Sequence, residues 1–92
     1  SGGVKINPEE LEKKLNESYD QNFVISSIED KSLGQKLVIV FEKKIPENWI
    51  KNVEKFEKIY RPKKAFCLKK FLYVNGKTDR KYIKYCIEKL SN

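Results

Sequence analysis

The chain has 92 residues, a formal net charge of +7, and 39% hydrophobic and 36% charged residues. That length holds one small domain and not two, with the composition of a folded globular protein rather than a disordered tail. No apolar run approaches the roughly 18 residues of a membrane span; Ser1–Lys5 lacks a signal-peptide pattern; and with no histidine and only two cysteines, neither a metal site nor a disulfide scaffold is expected.

The chain opens on Ser1-Gly2-Gly3-Val4-Lys5, whose glycines suit close backbone approach to another group and equally suit a frayed terminus; residue chemistry leaves both open. Asn7-Pro8-Glu9-Glu10 then reads as a helix start. Asn7 can cap, Pro8 suits the first helical position, and Glu10 stands where a capping-box acid would. Leu11 and Leu15 give a narrow buried stripe, and the helix is expected to end near Ser18. Phe23–Ile28 is β-prone, and Glu29–Gly34 is polar and turn-like. Leu37-Val38-Ile39-Val40-Phe41 is an apolar run between charges, as in a strand covered on both faces. These two strands are expected to pair.

Pro46 opens a second predicted helix, with Trp49, Val53 and Phe56 on one face and Ile50 beside them; Trp49 reads as core. Pro62 ends that region and Ala65–Leu68 forms a short strand. Asn75-Gly76 is a turn that tolerates positive φ. Thr78 or Asp79 caps a last helix with Ile83, Cys86, Ile87 and Leu90 as its apolar face. The order helix, strand, strand, helix, strand, helix predicts an α+β domain: a small sheet of about three strands flanked by about three helices.

Only Arg61 and Arg80 among the 20 basic residues are arginines. A basic surface attracts polyanions, but readers of base sequence lean on arginine, so the charge also fits plain solubility. The pairs Lys43-Lys44, Lys63-Lys64 and Lys69-Lys70 read as solvated faces, and Tyr82 and Tyr85 as helix surface. Cys67 and Cys86 read as buried thiols of a reducing compartment, the cytoplasm. The chain has no phosphate-loop motif and no nucleophile beside a base. Its most pointed segment is Val74-Asn75-Gly76-Lys77-Thr78-Asp79-Arg80-Lys81: a lysine on an Asn-Gly turn just ahead of a helix N-terminus. Such a lysine can act as a mobile point charge for an anion, or be a solvated turn lysine.

Taken together, the two ends resemble the C-terminal domain of the adenylate-forming superfamily, which includes acyl- and aryl-CoA synthetases. Gly3, Ile6, Pro8, Glu10, Leu11 and Glu12 match the segment that follows the family's interdomain hinge. Gly34-Gln35 matches a Gly-Gln ahead of the central strand. Pro62, the strand around Phe66, and Asn75, Gly76, Lys77, Asp79 and Arg80 match the closing motif. The sequence departs from the family at Phe71 and Tyr73, where proline and threonine are usual. It departs also at Thr78, at Val4, and in the spacing of Tyr60 from Pro62. Within the family, the Ser-Gly-Gly start and compact length are most similar to o-succinylbenzoate-CoA ligases of menaquinone biosynthesis.

The resemblance implies that residues 1–92 are a single C-terminal lid domain, starting just past the hinge of a larger acid–thiol ligase. Its partner would be an N-terminal adenylation domain that binds ATP with Mg2+ and the carboxylic acid. Lys77 would be the catalytic lysine of acyl-adenylate formation, on a loop made by Asn75 and Gly76. After a domain rotation, the strand Gly2, Gly3, Val4 and Lys5 would line the CoA tunnel. ATP and CoA would be substrates of the parent enzyme. No metal or cofactor is expected on this chain alone, which should be inactive in isolation. The alternative is a small basic nucleic-acid-binding module with stacking aromatics at Tyr60, Phe66, Phe71, Tyr73, Tyr82 and Tyr85.

Overall fold

The computed structural model describes residues 6–32 and 34–91. The first helix, α1, spans Pro8–Lys14. Asn7 caps it: its Oδ1 accepts the Glu9 N–H at 3.0 Å. The helix stops a turn sooner than its sequence suggests. Leu15 is its C-cap, and the Ser18 N–H bonds back to the Leu15 carbonyl at 2.9 Å. Leu15 and Tyr19 both reach the core from beyond the last helical residue.

Strands β1 (Phe23–Asp30) and β2 (Gly34–Glu42) form an antiparallel hairpin, in register from Phe23↔Phe41 to Asp30↔Gly34. Both strands outrun their apolar segments. Glu29 and Asp30, expected in the turn, pair with Gln35 and Gly34, because the backbone ladder extends through polar residues wherever solvent bathes their side chains. A short helix α2 (Trp49–Val53) and a 3-10 turn (Lys58–Tyr60) lead to β3 (Lys64–Leu68), which lies parallel to β2. Pro46 starts a turn ahead of α2: its carbonyl accepts the Trp49 N–H at 3.2 Å. A two-stranded hairpin, β4 (Tyr73–Val74) and β5 (Lys77–Thr78), precedes the last helix, α3 (Arg80–Ser91). The three-stranded sheet has the order β1-β2-β3.

The central strand decides the architecture. Val38, Ile39, Val40 and Phe41 are all completely buried, and successive strand residues face opposite sides. Ile39 and Phe41 join Leu11, Leu15, Tyr19, Val53 and Phe56 beneath α1 and α2. Val38 and Val40 join Phe66, Phe71, Ile83 and Ile87 beneath α3. Each such side chain contributes about 1.5–3 kcal/mol over its exposed state. The observed domain is α+β, a three-stranded mixed sheet with helices on both faces.

Several side chains fall elsewhere than their patterns suggest. Ile50 and Leu90 are exposed, and Trp49 is half-buried against the core. Leu90 lies on the last turn of α3, where Glu88 and Ser91 adjoin Glu29, Asp30 and Lys36 of the hairpin end, and it is 58% exposed among the described residues. Cys67 is exposed rather than buried, and Cys86 is only half-buried. Cys67 sits on the short edge strand β3, facing away from Phe66 and Leu68.

The outer edge of β1 is blocked by side chains. Glu12 Oε2 accepts the Ile25 N–H at 2.7 Å, and Lys84 Nζ donates to the Ser27 carbonyl at 2.7 Å. These fill strand positions that would otherwise template pairing with another chain. Glu12 also takes both Arg80 nitrogens, at 2.8 and 2.5 Å, and that carboxylate raises the guanidinium pKa. One carboxylate therefore ties α1, β1 and α3 together. Glu12→Ala should cost about 1–3 kcal/mol, since it orphans the Ile25 N–H along with Arg80. Glu12→Gln, which keeps one acceptor, should cost less. Urea unfolding midpoints at constant slope measure this; equal stability for all three proteins would show the carboxylate to be dispensable.

Candidate functional site

The lysine singled out by its turn lies on a hairpin that stands off the body of the domain. Asn75 and Gly76 have φ of +52° and +79°. Two positive-φ residues between the pairs Val74↔Lys77 and Tyr73↔Thr78 make a type I′ turn. That geometry matches strand twist, and Asn-Gly is its preferred dipeptide. Leu72, Tyr73 and Val74 are 44%, 47% and 56% exposed, so the hairpin has almost no core of its own. Lys77 is exposed. Its ammonium makes no hydrogen bond or ion pair among the described residues, which leaves it available to an outside anion.

Hydrogen bonds at its base hold the hairpin. Phe71 is buried in the α3-side core. Its N–H donates to Glu42 Oε2 at 2.7 Å. Asn22 Nδ2 donates to Glu42 Oε1 and to the Tyr73 hydroxyl oxygen, both at 2.9 Å. The Tyr73 hydroxyl donates in turn to Glu42 Oε1 at 3.3 Å. On the far side, the Asp79 N–H donates to the Leu72 carbonyl at 2.8 Å. Asp79 Oδ1 accepts the Tyr82 N–H at 3.1 Å, which caps α3 and settles the choice between Thr78 and Asp79.

Glu42 closes β2, and Lys43 turns the chain sharply after it with φ of +94°, a conformation that costs about 1–3 kcal/mol outside glycine. The Lys43 N–H donates to the Leu68 carbonyl at 2.7 Å, which brings the exits of β2 and β3 together. The Phe71 N–H, followed by Asn22, pulls the Glu42 carboxyl pKa below its ordinary value; Tyr73 and Lys43 add to this. Desolvation, then the Glu42 charge, pushes the Tyr73 phenol up.

Of the residues singled out in the sequence, Asn75, Gly76 and Lys77 come together on this turn. Gly2, Gly3, Val4 and Lys5 lie outside the described residues. Glu12 and Arg80, which match motifs at opposite ends of the chain, meet each other in the ion pair described above. Glu42, Asn22 and Tyr73 went unread as a site. Their only sequence signal is a glutamate at the end of an apolar strand, and nothing local connects it to residues 29 and 31 positions away.

The aromatics proposed for base stacking do not share a face. Phe66 and Phe71 are in the core, Tyr60 and Tyr82 pack against it, and only Tyr73 and Tyr85 are well exposed. Among the described residues no helix is long and apolar enough to cross a membrane.

No protein-family model matches the chain, and no curated protein matches it in sequence. Solved structures do. The AMP-forming acyl-CoA synthetase/AMP-acid ligase II-like protein of Dyadobacter fermentans matches 96% of this chain at 25% identity and a TM-score of 0.74. The o-succinylbenzoate CoA synthetase (MenE) of Bacillus subtilis, bound with a product analogue, matches 92% at 28% identity and a TM-score of 0.71. ATP-bound MatB of Rhodopseudomonas palustris matches 99% at 14% identity and a TM-score of 0.80, a likeness of fold alone. The chain has the fold of the C-terminal domain of adenylate-forming acyl-CoA ligases. It spans 28%, 19% and 20% of those three chains respectively.

Because the Glu42 pKa is depressed, its anchoring contribution is fully present above the unfolded-state pKa and is lost as pH falls through the folded-state value. The groups around it are the Phe71 N–H, Asn22, Tyr73 and Lys43. On acidification the hairpin base should loosen. The Phe71 amide proton resonance should titrate with a midpoint below the ordinary carboxylate range; an amide that does not titrate there would remove Glu42 as the anchor.

Proposed function

We propose that this chain is the C-terminal domain of an ATP-dependent acyl- or aryl-CoA ligase, and that Lys77 is its adenylation lysine. One observation carries the reading: an exposed lysine with no partner among the described residues stands at a type I′ turn, on a fold that ligase C-terminal domains match over nearly the whole chain.

In the first half-reaction the acid's carboxylate attacks the α-phosphorus of ATP, giving acyl-adenylate and pyrophosphate. Two anions must meet, and a cation placed between them screens their repulsion. A single well-placed charge of this kind is worth about 3–4 kcal/mol in the transition state, roughly two to three decades in rate. The N-terminal domain of the same chain would hold ATP, its Mg2+ and the acid. In the second half-reaction the CoA thiol attacks the adenylate carbonyl and releases AMP. The domain would then present another face, with Gly2, Gly3, Val4 and Lys5 along the pantetheine path. The isolated domain lacks the ATP and acyl sites and should be inactive alone.

The 28% identity to the Bacillus subtilis enzyme favours an o-succinylbenzoate-type aryl acid, and with it a role in menaquinone biosynthesis. Two free thiols, one of them exposed, suit the reducing cytoplasm. The nucleic-acid reading loses ground because the aromatics it needs are divided between the core and separate surfaces.

The test uses the full-length ligase with Lys77→Ala. Pyrophosphate release from acid plus ATP should fall by about two decades or more, while thioester formation from presynthesised acyl-adenylate plus CoA survives. If adenylation is unchanged, Lys77 is a turn lysine and this reading is wrong.

A further inference from the structure

Lys77 can act on a substrate only if its hairpin emerges on the correct face and in the correct register. Tyr73 and Thr78 are cross-strand partners, as are Val74 and Lys77. In a two-stranded ladder these pairs point to opposite faces. The Tyr73 ring is drawn toward the body by Asn22 at 2.9 Å and by Glu42 at 3.3 Å, and Thr78 beside it is half-buried. Val74 and Lys77 therefore face outward, and both are exposed. A one-residue slip would exchange the two faces and turn the lysine inward.

The Asn75-Gly76 turn sets the pairing within the hairpin and the Asp79 N–H to Leu72 carbonyl bond closes it, but neither fixes how the hairpin is turned relative to the body. An isolated two-stranded hairpin is marginal in water, and residues 72–77 are all exposed. Phe71 is buried just before the hairpin, but a single buried residue sets position, not rotation. Rotation is set by the two hydrogen bonds that leave this segment for one carboxylate: the Phe71 N–H to Glu42 Oε2 and the Tyr73 hydroxyl to Glu42 Oε1. Asn22 completes the set by donating to both Glu42 and Tyr73.

Resting on the ligase reading, we infer that Glu42, with Asn22 and Tyr73, is a positioning site that fixes the face and direction from which Lys77 reaches the reacting carboxylate and phosphate. Glu42 touches no substrate; it acts through the hairpin. Tyr73 and the Phe71 N–H stand where threonine and proline are usual in the resembling family, and a proline at 71 would have no N–H to give. This chain thus holds by hydrogen bonds a loop that a proline ring would stiffen elsewhere.

The experiment compares Lys77→Ala, Glu42→Ala, Glu42→Gln and Tyr73→Phe in the full-length ligase. Both half-reactions are assayed as above, and hydrogen exchange is followed at the amides of residues 74–78. Glu42→Ala should lower kcat for adenylation about tenfold or more, with KM for acid and ATP nearly unchanged, as expected for a misplaced catalytic group. The thioester step should be retained and exchange in the hairpin should rise. Tyr73→Phe, at a half-exposed position that tolerates the change, should lower kcat about three- to fivefold in the same pattern. Glu42→Gln keeps an acceptor for the Phe71 N–H and should recover most of the rate. If Lys77→Ala is inactive in adenylation while Glu42→Ala and Tyr73→Phe keep full kcat, the positioning role is overturned and the ligase reading stands. If Lys77→Ala adenylates normally, the ligase reading fails and the positioning role with it. Should Glu42→Ala not fold, Tyr73→Phe decides alone: full kcat overturns the role, and the selective loss of kcat supports it.

Discussion

Everything in this domain follows from the burial of one strand on both faces. Val38 and Val40 need an apolar cover on one side, Ile39 and Phe41 on the other. A single helix cannot supply both, so α1 and α2 take one face and α3 the other. β2 must lie in the centre, with β1 and β3 on its flanks. Glu42 is the first charged residue after the apolar run, where the strand leaves the layers. It is near enough to the core to meet Phe71 and near enough to solvent to remain a carboxylate. The hub of the candidate site is thus placed by where the hydrophobic run ends.

Stability is distributed unevenly as a result. The sheet and its helices share two packed clusters, while the Lys77 hairpin contributes almost nothing to either. Regions with few buried contacts open most readily. On the ligase reading, a lysine that enters another domain's site has to be exposed, and an exposed two-stranded hairpin holds no shape unaided. The structure meets these opposed demands by leaving the tip bare and tying the base with directional bonds to a carboxylate. The Asn75-Gly76 turn supports this arrangement, because its positive φ values come without the strain that other side chains would bring.

The two-sided strand was legible because alternation and uninterrupted apolarity are local properties of five consecutive residues, Leu37–Phe41. The turn at Asn75-Gly76 was legible for the same reason, as was the cap before α3. Local pattern fails where a partner lies far away in the chain. Cys67 has an apolar neighbourhood in sequence, yet it sits on an edge strand with nothing over it. Leu90 continues the stripe of Ile83 and Ile87, but among the described residues the stripe outlasts the apolar surface it packs against. The bonds of Glu42 to Phe71 and Tyr73 join segments about 30 residues apart through a carboxylate, and no periodicity encodes that. For Lys77, residue chemistry does not separate an acting lysine from a solvated one, and the role proposed for it rests on the resemblance.

The same limit explains why Glu12 and Arg80, read as parts of two separate motifs, turn out to be one contact. Their ion pair also accepts the Ile25 N–H, so it fastens the first residue of α3 to α1 and β1. Arg80 lies three residues after Lys77, and Phe71 and Tyr73 lie six and four before it. The lysine is therefore mounted between two clamps: Glu42 on the incoming strand, Glu12 on the outgoing helix. Tethers at both feet resist independent swinging of the hairpin. On the ligase reading, bringing Lys77 to the adenylation site and withdrawing it again must be a motion of the whole domain, with the hairpin carried as a rigid part of it.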